Sequence, residues 1–101
     1  MGFDVNLQDE RGRVITTIGD PQNLLHRVLE RAFEDEPLLV EIDWYGDTVF
    51  NRLQMPRFLS QWKAAEAYAK SPEEVQIVEA VKALAVECEG SVHLYLKFVG
   101  D

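Results

Sequence analysis

The sequence predicts an α+β protein: a single domain over residues 1–101, with a mainly antiparallel sheet and three helices packed on one face. Apolar and polar residues alternate with a period of two near both ends of the chain, which is typical of half-buried strands. Between these ends, three segments carry apolar residues at helical spacing. With 101 residues and 47% hydrophobic composition, the chain can build a core without disulfides or a structural metal. The predicted element order is ββαβααβ.

The N-terminal segment predicts a β-hairpin. Phe3, Val5 and Leu7 alternate with polar residues, so one face of the first strand is apolar. The sequence DERG follows as a turn, in which Gly12 can adopt a positive φ. Residues 14–18 are rich in β-branched side chains and form the second strand.

A first helix is predicted to start at Asp20-Pro21, with the carboxylate at the N-cap and proline at N1. Its end carries the acidic run from Glu34 to Glu36, although the helix dipole favours cations there. Helix energetics therefore do not explain the acidic run, which is either a solvated helix end or a surface for a partner. The apolar stripe of this helix comprises Leu24, Leu25, Val28, Leu29, Ala32 and Phe33.

Residues 38–44, after Pro37, are predicted to form the third strand. In that strand Val40, Ile42 and Trp44 share the core face, and Leu39, Glu41 and Asp43 share the other face. Residues 45–48 form a turn containing Gly46. Residues 49–51 are either a short extended return or the start of the next helix, because so few residues show no clear period.

Two further helices and a last strand complete the fold. Pro56 is a natural N1 residue, and Ser71-Pro72-Glu73-Glu74 has the form of a capping box that starts a separate helix. Gly90 ends that helix, and residues 92–99 alternate as the final strand.

The charge of the chain is concentrated in its first half. The formal net charge is −8, and residues 1–50 hold eleven acidic and four basic residues. Such a field repels phosphate backbones, so nucleic-acid binding is disfavoured, whereas a basic protein partner or cations would be attracted. The simpler interpretation is that this charge keeps a small protein soluble.

Cysteine content and hydropathy favour a cytoplasmic protein without a membrane partner. Cys88 is the only cysteine, which excludes an internal disulfide and a cysteine-based zinc site, and it lies on an apolar helix face. The N-terminus has no signal-peptide pattern, and no apolar run is long enough to span a bilayer. We expect no cofactor and no bound metal.

The predicted sheet leaves a polar face on which acid–base chemistry is conceivable, because His93 lies there together with carboxylates such as Asp43. However, the chain has no nucleophile motif, phosphate-binding loop or zinc motif. A calcium loop at 43–48 is rejected because Tyr45 occupies a position that needs an oxygen ligand. We therefore predict no catalytic residue. The polar face comprises Asp4, Asn6, Glu41, Asp43, His93, Tyr95 and Lys97.

The preferred prediction is a non-enzymatic binding module that engages a basic protein partner. Acidic residues would set the association rate, and Trp44 or Tyr45 would supply affinity, since exposed aromatic residues are common anchors in interfaces. The predicted partner-binding residues are Glu34, Asp35, Glu36, Asp43, Tyr45, Asp47 and Asn51.

The stretches YGDTVFNRLQM (45–55) and HLYLKFVGD (93–101) make the chain resemble a family of small uncharacterised bacterial proteins. The segment PQNLLHRVL (21–29) adds to this resemblance, which implies no activity, cofactor or catalytic residue. In size and acidity the chain also looks like immunity proteins, which inhibit a toxin by binding it.

Two alternatives remain open from the sequence. The chain is a small enzyme or a small-ligand-binding protein if the 43–51 turn and the polar sheet face form a pocket. It is a homo-oligomeric structural protein if two copies dimerise through the open sheet face.

Overall fold

The computed structural model describes residues 3–32 and 36–100. They form one four-stranded antiparallel sheet and three α-helices, which confirms the α+β class and the order ββαβααβ. The predicted acidic residues Glu34 and Asp35 lie outside the described residues. The strands are β1 (Asp4–Asp9), β2 (Val14–Ile18), β3 (Asp47–Asn51) and β4 (Leu94–Val99), and the helices are α1 (Leu24–Ala32), α2 (Met55–Tyr68) and α3 (Pro72–Glu89).

The strand order in the sheet is β2-β1-β4-β3, so the two ends of the chain pair at its centre. In register, Val5 lies opposite Phe98 and Leu7 opposite Leu96, and all four side chains are buried. Phe50 of β3 pairs with Leu96 and joins the same core. The buried sides of the three helices contribute to this core cluster, so the predicted packing of helices against one sheet face is observed.

The predicted position of the third strand is wrong. Residues 39–41 form a 3-10 turn, and the strand begins only at Asp47. Leu38, Leu39 and Ile42 are buried while Val40 is 57% exposed, which is the spacing of a helical turn rather than of a strand. Leu38, Leu39 and Ile42 still reach the core, but they do so from a 3-10 turn and not from a strand. We call residues 38–42 the core turn.

The side chain of Gln61 on α2 binds the backbone of the core turn. The Gln61 Oε1 atom accepts the backbone N–H groups of Leu38 and Leu39 at 2.7 and 3.3 Å. Buried backbone N–H groups must be hydrogen-bonded, and in a strand a carbonyl of the neighbouring strand would accept them. A glutamine on a neighbouring helix therefore takes the place of a neighbouring strand.

The start of α1 is also later than predicted. Asp20 is buried and accepts the N–H groups of Leu24 and Leu25, each at 2.8 Å, so it does cap the helix. Pro21, however, lies in a turn, and Asn23 has a φ of 60°. Because this left-handed residue cannot continue a right-handed helix, α1 starts at Leu24.

A partly buried ion pair joins α1 and α3. Ser71 Oγ accepts the Glu74 N–H at 3.1 Å, as the capping box predicts. The Glu74 carboxylate does not return to Ser71 but accepts the Lys70 N–H at 2.8 Å. It also binds the Arg31 guanidinium of α1 at 2.8 and 3.3 Å, and Arg31 donates to the Tyr68 carbonyl at the end of α2.

The last strand is shorter than predicted. It begins at Leu94, and Val92 is 57% exposed in the preceding turn. Within residues 3–32 and 36–100, no helix is long and apolar enough to cross a membrane.

Candidate recognition surface

Side chains of the turn between the 3-10 segment and β3 hold its backbone by hydrogen bonds. The Asp43 N–H donates to Thr48 Oγ1 at 2.8 Å, and Asp43 Oδ1 accepts the Tyr45 N–H at 2.9 Å. A carboxylate that accepts an N–H two residues later stabilises a turn in water. Residues 43–48 are therefore preorganised, and we call them the acidic turn.

The C-terminal end of β4 anchors the acidic turn. The Gly100 N–H donates to the Gly46 carbonyl at 2.7 Å. A Cβ at residue 100 would lie 2.6 Å from the carbonyl oxygens of Asp43 and Trp44 and 2.7 Å from that of Gly46. Only glycine allows the backbone of the turn to approach this closely.

The two aromatic residues of the acidic turn point in different directions. Trp44 is half-buried, with its ring centroid 5.4 Å from that of Phe3 and 3.9 Å from that of His26. The His26 Nε2 atom also lies 3.2 Å from Glu30 Oε1, so the imidazole has a hydrogen-bonding partner within its own helix. Tyr45 is 84% exposed. Trp44 thus fixes the turn on the core, and Tyr45 is presented to solvent.

Carboxylates flank Tyr45 in the chain and lie at the nearby end of the sheet. Asp43 and Asp47 are exposed, and Asp47 forms an ion pair with Lys97 at 3.3 Å. Asp4 and Asp47 lie on either side of Val99 in the register of the sheet, so Asp4 belongs to the same end of the open sheet face. The surface that combines an exposed aromatic side chain with these three carboxylates is the candidate recognition surface.

The remaining predicted partner-binding residues have other surroundings. Asn51 and Gln54 form a reciprocal capping box that starts the 3-10 turn before α2, with bonds of 3.1 and 2.8 Å. The amide of Asn51 is therefore engaged within the chain. Glu36 is half-buried, and its carbonyl accepts the Val40 N–H at 3.0 Å.

The structure separates His93 from Asp43. His93 precedes β4 and its Nδ1 atom lies 3.0 Å from Glu10, whereas the Asp43 carbonyl lies beside Gly100 at the other end of the strand. Strands rise by about 3.3 Å per residue, so the two residues lie roughly 20 Å apart. Glu41 and Asp43 are also off the sheet, because residues 38–44 are not a strand. The predicted acid–base grouping on the polar sheet face is therefore not assembled.

Other reactive side chains are structural. Cys88 is fully buried, its thiol lies 3.5 Å from the Leu94 carbonyl, and burial raises its pKa to about 11. This is the inert core cysteine that its helix face predicts. In the described part of the chain, no group of three or more His, Cys, Asp or Glu side chains is placed to hold a metal ion.

Two features of the candidate recognition surface escaped sequence reasoning. The first is the position of Asp4 beside Asp47: the sequence predicts Asp4 on the polar sheet face, but only the pairing of both residues with Val99 of β4 brings it near Asp47. The role of Gly100 has a weak signal in the sequence, since glycine after a strand often marks a close backbone approach.

The sequence matches no protein-family model, and neither the search of curated proteins nor that of solved structures returned a match.

Proposed function

We propose that the chain is a non-enzymatic binding module whose candidate recognition surface engages a basic protein partner. The observation that carries this proposal is the 84% exposure of Tyr45 in a turn held by internal hydrogen bonds. A tyrosine side chain has only two χ angles to fix on binding, and the backbone that carries Tyr45 is already held by hydrogen bonds, so ordering this side chain costs little entropy. Tyrosine is for this reason frequent among binding hot spots.

Charge supports a basic partner. Asp4, Asp43 and Asp47 lie at the same end of the molecule as Tyr45, and the whole chain carries a formal net charge of −8. Complementary charge raises association rates and rejects acidic competitors, while the aromatic contact slows dissociation. An immunity-like pairing, in which the chain inhibits a basic toxin, is one concrete case; it rests on size and acidity alone.

Capture of partners from an extract of the source organism tests the proposal, provided that matched variants are compared. Tyr45→Ala removes the exposed ring, and Tyr68→Ala, at a 46% exposed position on α2, removes a ring of the same size elsewhere. We expect Tyr45→Ala to weaken binding of a captured partner about 30-fold and Tyr68→Ala to leave it unchanged. Affinity should also fall as ionic strength rises.

Folding is the necessary control. Because Tyr45 is exposed, its replacement should change the free energy of unfolding by about 0.5 kcal/mol or less. A partner bound equally well by wild type, Tyr45→Ala and a double Asp43→Asn/Asp47→Asn variant would eliminate this surface as its binding site.

A further inference from the structure

In the described part of the chain the sheet has two outer strands, β2 and β3, and their edges differ in regularity. The pairing of β2 with β1 shifts register between Leu7 and Gln8. Such a bulge bends and twists an outer strand, which hinders the addition of another strand. By contrast, β3 pairs with β4 without a break from Asp47 to Asn51. The outer edge of β3 therefore keeps the regular geometry that a further strand needs.

A hydrogen bond next to β3 shows which of its backbone groups face outward. In an antiparallel pair, residues that are hydrogen-bonded to the neighbouring strand alternate with residues whose N–H and C=O groups point away from it. Gly46 lies opposite Gly100 in this register, and its carbonyl accepts the Gly100 N–H at 2.7 Å. Counted from Gly46, the residues that point away from β4 are therefore Asp47, Val49 and Asn51.

One end of this outer edge is closed and the other is open. The Asn51 N–H donates to Gln54 Oε1 at 2.8 Å, which agrees with its outward direction and satisfies it within the chain. Among the described residues, no group is hydrogen-bonded to the outward N–H and C=O groups of Asp47 and Val49. An added strand can therefore bond to these two residues and continue towards the acidic turn.

Apolar side chains accompany the open edge. Val49 lies on the open sheet face and is 49% exposed, and Leu53, two residues beyond the strand, is 74% exposed. Val49 stands beside Lys97 of β4, and in the described sheet no strand covers its outer side. Because directly opposite residues of paired strands contact each other on one face, Val49 offers a contact for an apolar residue of an added strand.

The charge next to the open edge is negative even after its ion pair is counted. Asp47 is paired with Lys97 at 3.3 Å, whereas Asp4 and Asp43 form no ion pair in the described part of the chain. Arg52 follows the strand at its other, closed end. A segment that brings Lys or Arg to the acidic turn would therefore be attracted, and an acidic segment would be repelled.

We propose that an extended segment of the basic partner adds to the sheet as a fifth strand along the outer edge of β3. This inference rests on the proposed function, because the acidic turn beside the edge selects a basic segment. The segment exchanges backbone hydrogen bonds with Asp47 and Val49, packs an apolar side chain on Val49, and places a Lys or Arg side chain at Asp43. A second copy of the chain fits less well, since two molecules with a formal net charge of −8 repel each other.

Linear peptides of about ten residues displayed on phage are the probe, and the wild-type protein selects among them. The enriched sequences should alternate apolar and polar residues and carry Lys or Arg near one end. Synthetic copies should bind Val49→Pro about tenfold more weakly than the wild type, or worse, as measured by fluorescence anisotropy. Proline removes an outward N–H and places its ring on the edge, but it removes no hydrogen bond to β4.

Thr17→Pro is the matched control. Carried across the sheet, the alternation of hydrogen bonds also turns the backbone groups of Thr17 outward, on β2 at the opposite edge. This variant should bind the peptides like the wild type. Circular dichroism should show that both proline variants are folded.

Amide hydrogen exchange in the wild type is a second measurement, and it needs no substitution. The Val49 N–H points outward, so it should exchange quickly in the free protein and about tenfold more slowly when a selected peptide is bound. The Phe50 N–H points towards β4 and should exchange slowly in both states.

Peptides that bind Val49→Pro as tightly as the wild type, or that leave the exchange of the Val49 N–H unchanged, would overturn strand addition. A wild type that enriches no peptide, enriches acidic ones, or forms a dimer that Val49→Pro abolishes would overturn the choice of a basic partner segment. If a captured partner loses affinity for Tyr45→Ala but not for Val49→Pro, strand addition fails while the proposed function stands. Loss in Val49→Pro alone keeps the added strand and removes Tyr45 as an anchor.

Discussion

Replacing Glu74 with glutamine removes one negative charge from the point where α1, α2 and α3 meet. The Glu74 side chain is 6% exposed, and its carboxylate accepts three hydrogen bonds, two from Arg31 and one from the Lys70 N–H. Arg31 also donates to the Tyr68 carbonyl. The substitution keeps the size and shape of the side chain, so its effect reports on charge and hydrogen bonding rather than on a cavity.

The magnitude follows from these bonds. In the glutamine variant Oε1 can still accept the bonds at 2.8 Å, but an NH₂ group faces the Arg31 Nη2 donor that was 3.3 Å from Oε2. Hydrogen bonds to a charged group contribute about 1.5–3 kcal/mol and neutral ones about 0.5–1.5 kcal/mol. Weakening two bonds and losing the third should lower the free energy of unfolding by about 2–3 kcal/mol.

Urea unfolding followed by circular dichroism measures this loss. Glu79→Gln makes the same chemical change at an exposed position of α3, and it should alter the free energy of unfolding by about 0.5 kcal/mol or less. Equal stability of Glu74→Gln and the wild type at neutral pH would refute the reasoning.

The effect should also depend on pH. The hydrogen bonds from Arg31 and from the Lys70 N–H hold the pKa of Glu74 below its ordinary value of 4.5. A lowered pKa in the folded state gives stability that is fully present above the unfolded pKa and is lost as pH falls through the folded pKa. The stability gap between wild type and Glu74→Gln should therefore be constant near neutrality and shrink in acid. A gap that stays constant down to the acid transition would contradict this role.

Two further substitutions test backbone approach and core packing. Gly100→Ala should destabilise the protein by about 1–3 kcal/mol and loosen the 43–46 backbone, because its Cβ would lie within 2.7 Å of three carbonyl oxygens; chemical denaturation and proteolysis at the turn measure this. Trp62→Phe should lower the free energy of unfolding by about 2–3 kcal/mol, because it leaves a cavity in the core and removes the 3.0 Å bond to the Val78 carbonyl.

Each of these substitutions has a control. Gly12 has a φ of 82° but no atom within 4 Å of an added Cβ, so Gly12→Ala introduces backbone strain without a clash and should leave the acidic turn intact. Proteolysis of the turn that is equally fast in both glycine variants would contradict the contact at Gly100. For Trp62, the exposed Tyr68→Phe is the comparison, and equal unfolding midpoints in the two variants would show that the buried indole contributes nothing.

Local signals in the sequence were enough for most elements. The period of two in β1, the capping residue Ser71 and the apolar faces of α2 and α3 each predict the structure that is observed. These signals act over a few neighbouring residues, so they need no knowledge of the rest of the fold. The chemical character of the acidic turn, an aromatic residue among carboxylates, is also visible in the sequence.

The segment 38–44 shows where local reasoning fails. Its short apolar run is compatible with a buried strand or with a helical turn, and periodicity cannot separate the two. The outcome depends on Gln61, more than twenty residues away, which satisfies the N–H groups of Leu38 and Leu39. Because residues 39–41 form a 3-10 turn, the third strand begins only at Asp47, later than the sequence predicts.

The sequence by itself determined the fold class, the order of elements, the acidic character of the first half and the burial of Cys88, because composition and short-range periodicity encode them. Only the tertiary structure decided that Tyr45 faces solvent while Trp44 packs on the core, that Asp4 lies near Asp47, and that His93 lies far from Asp43. These relations depend on strand order and on the approach of Gly100 to the turn, and both arise from contacts between residues distant in the chain.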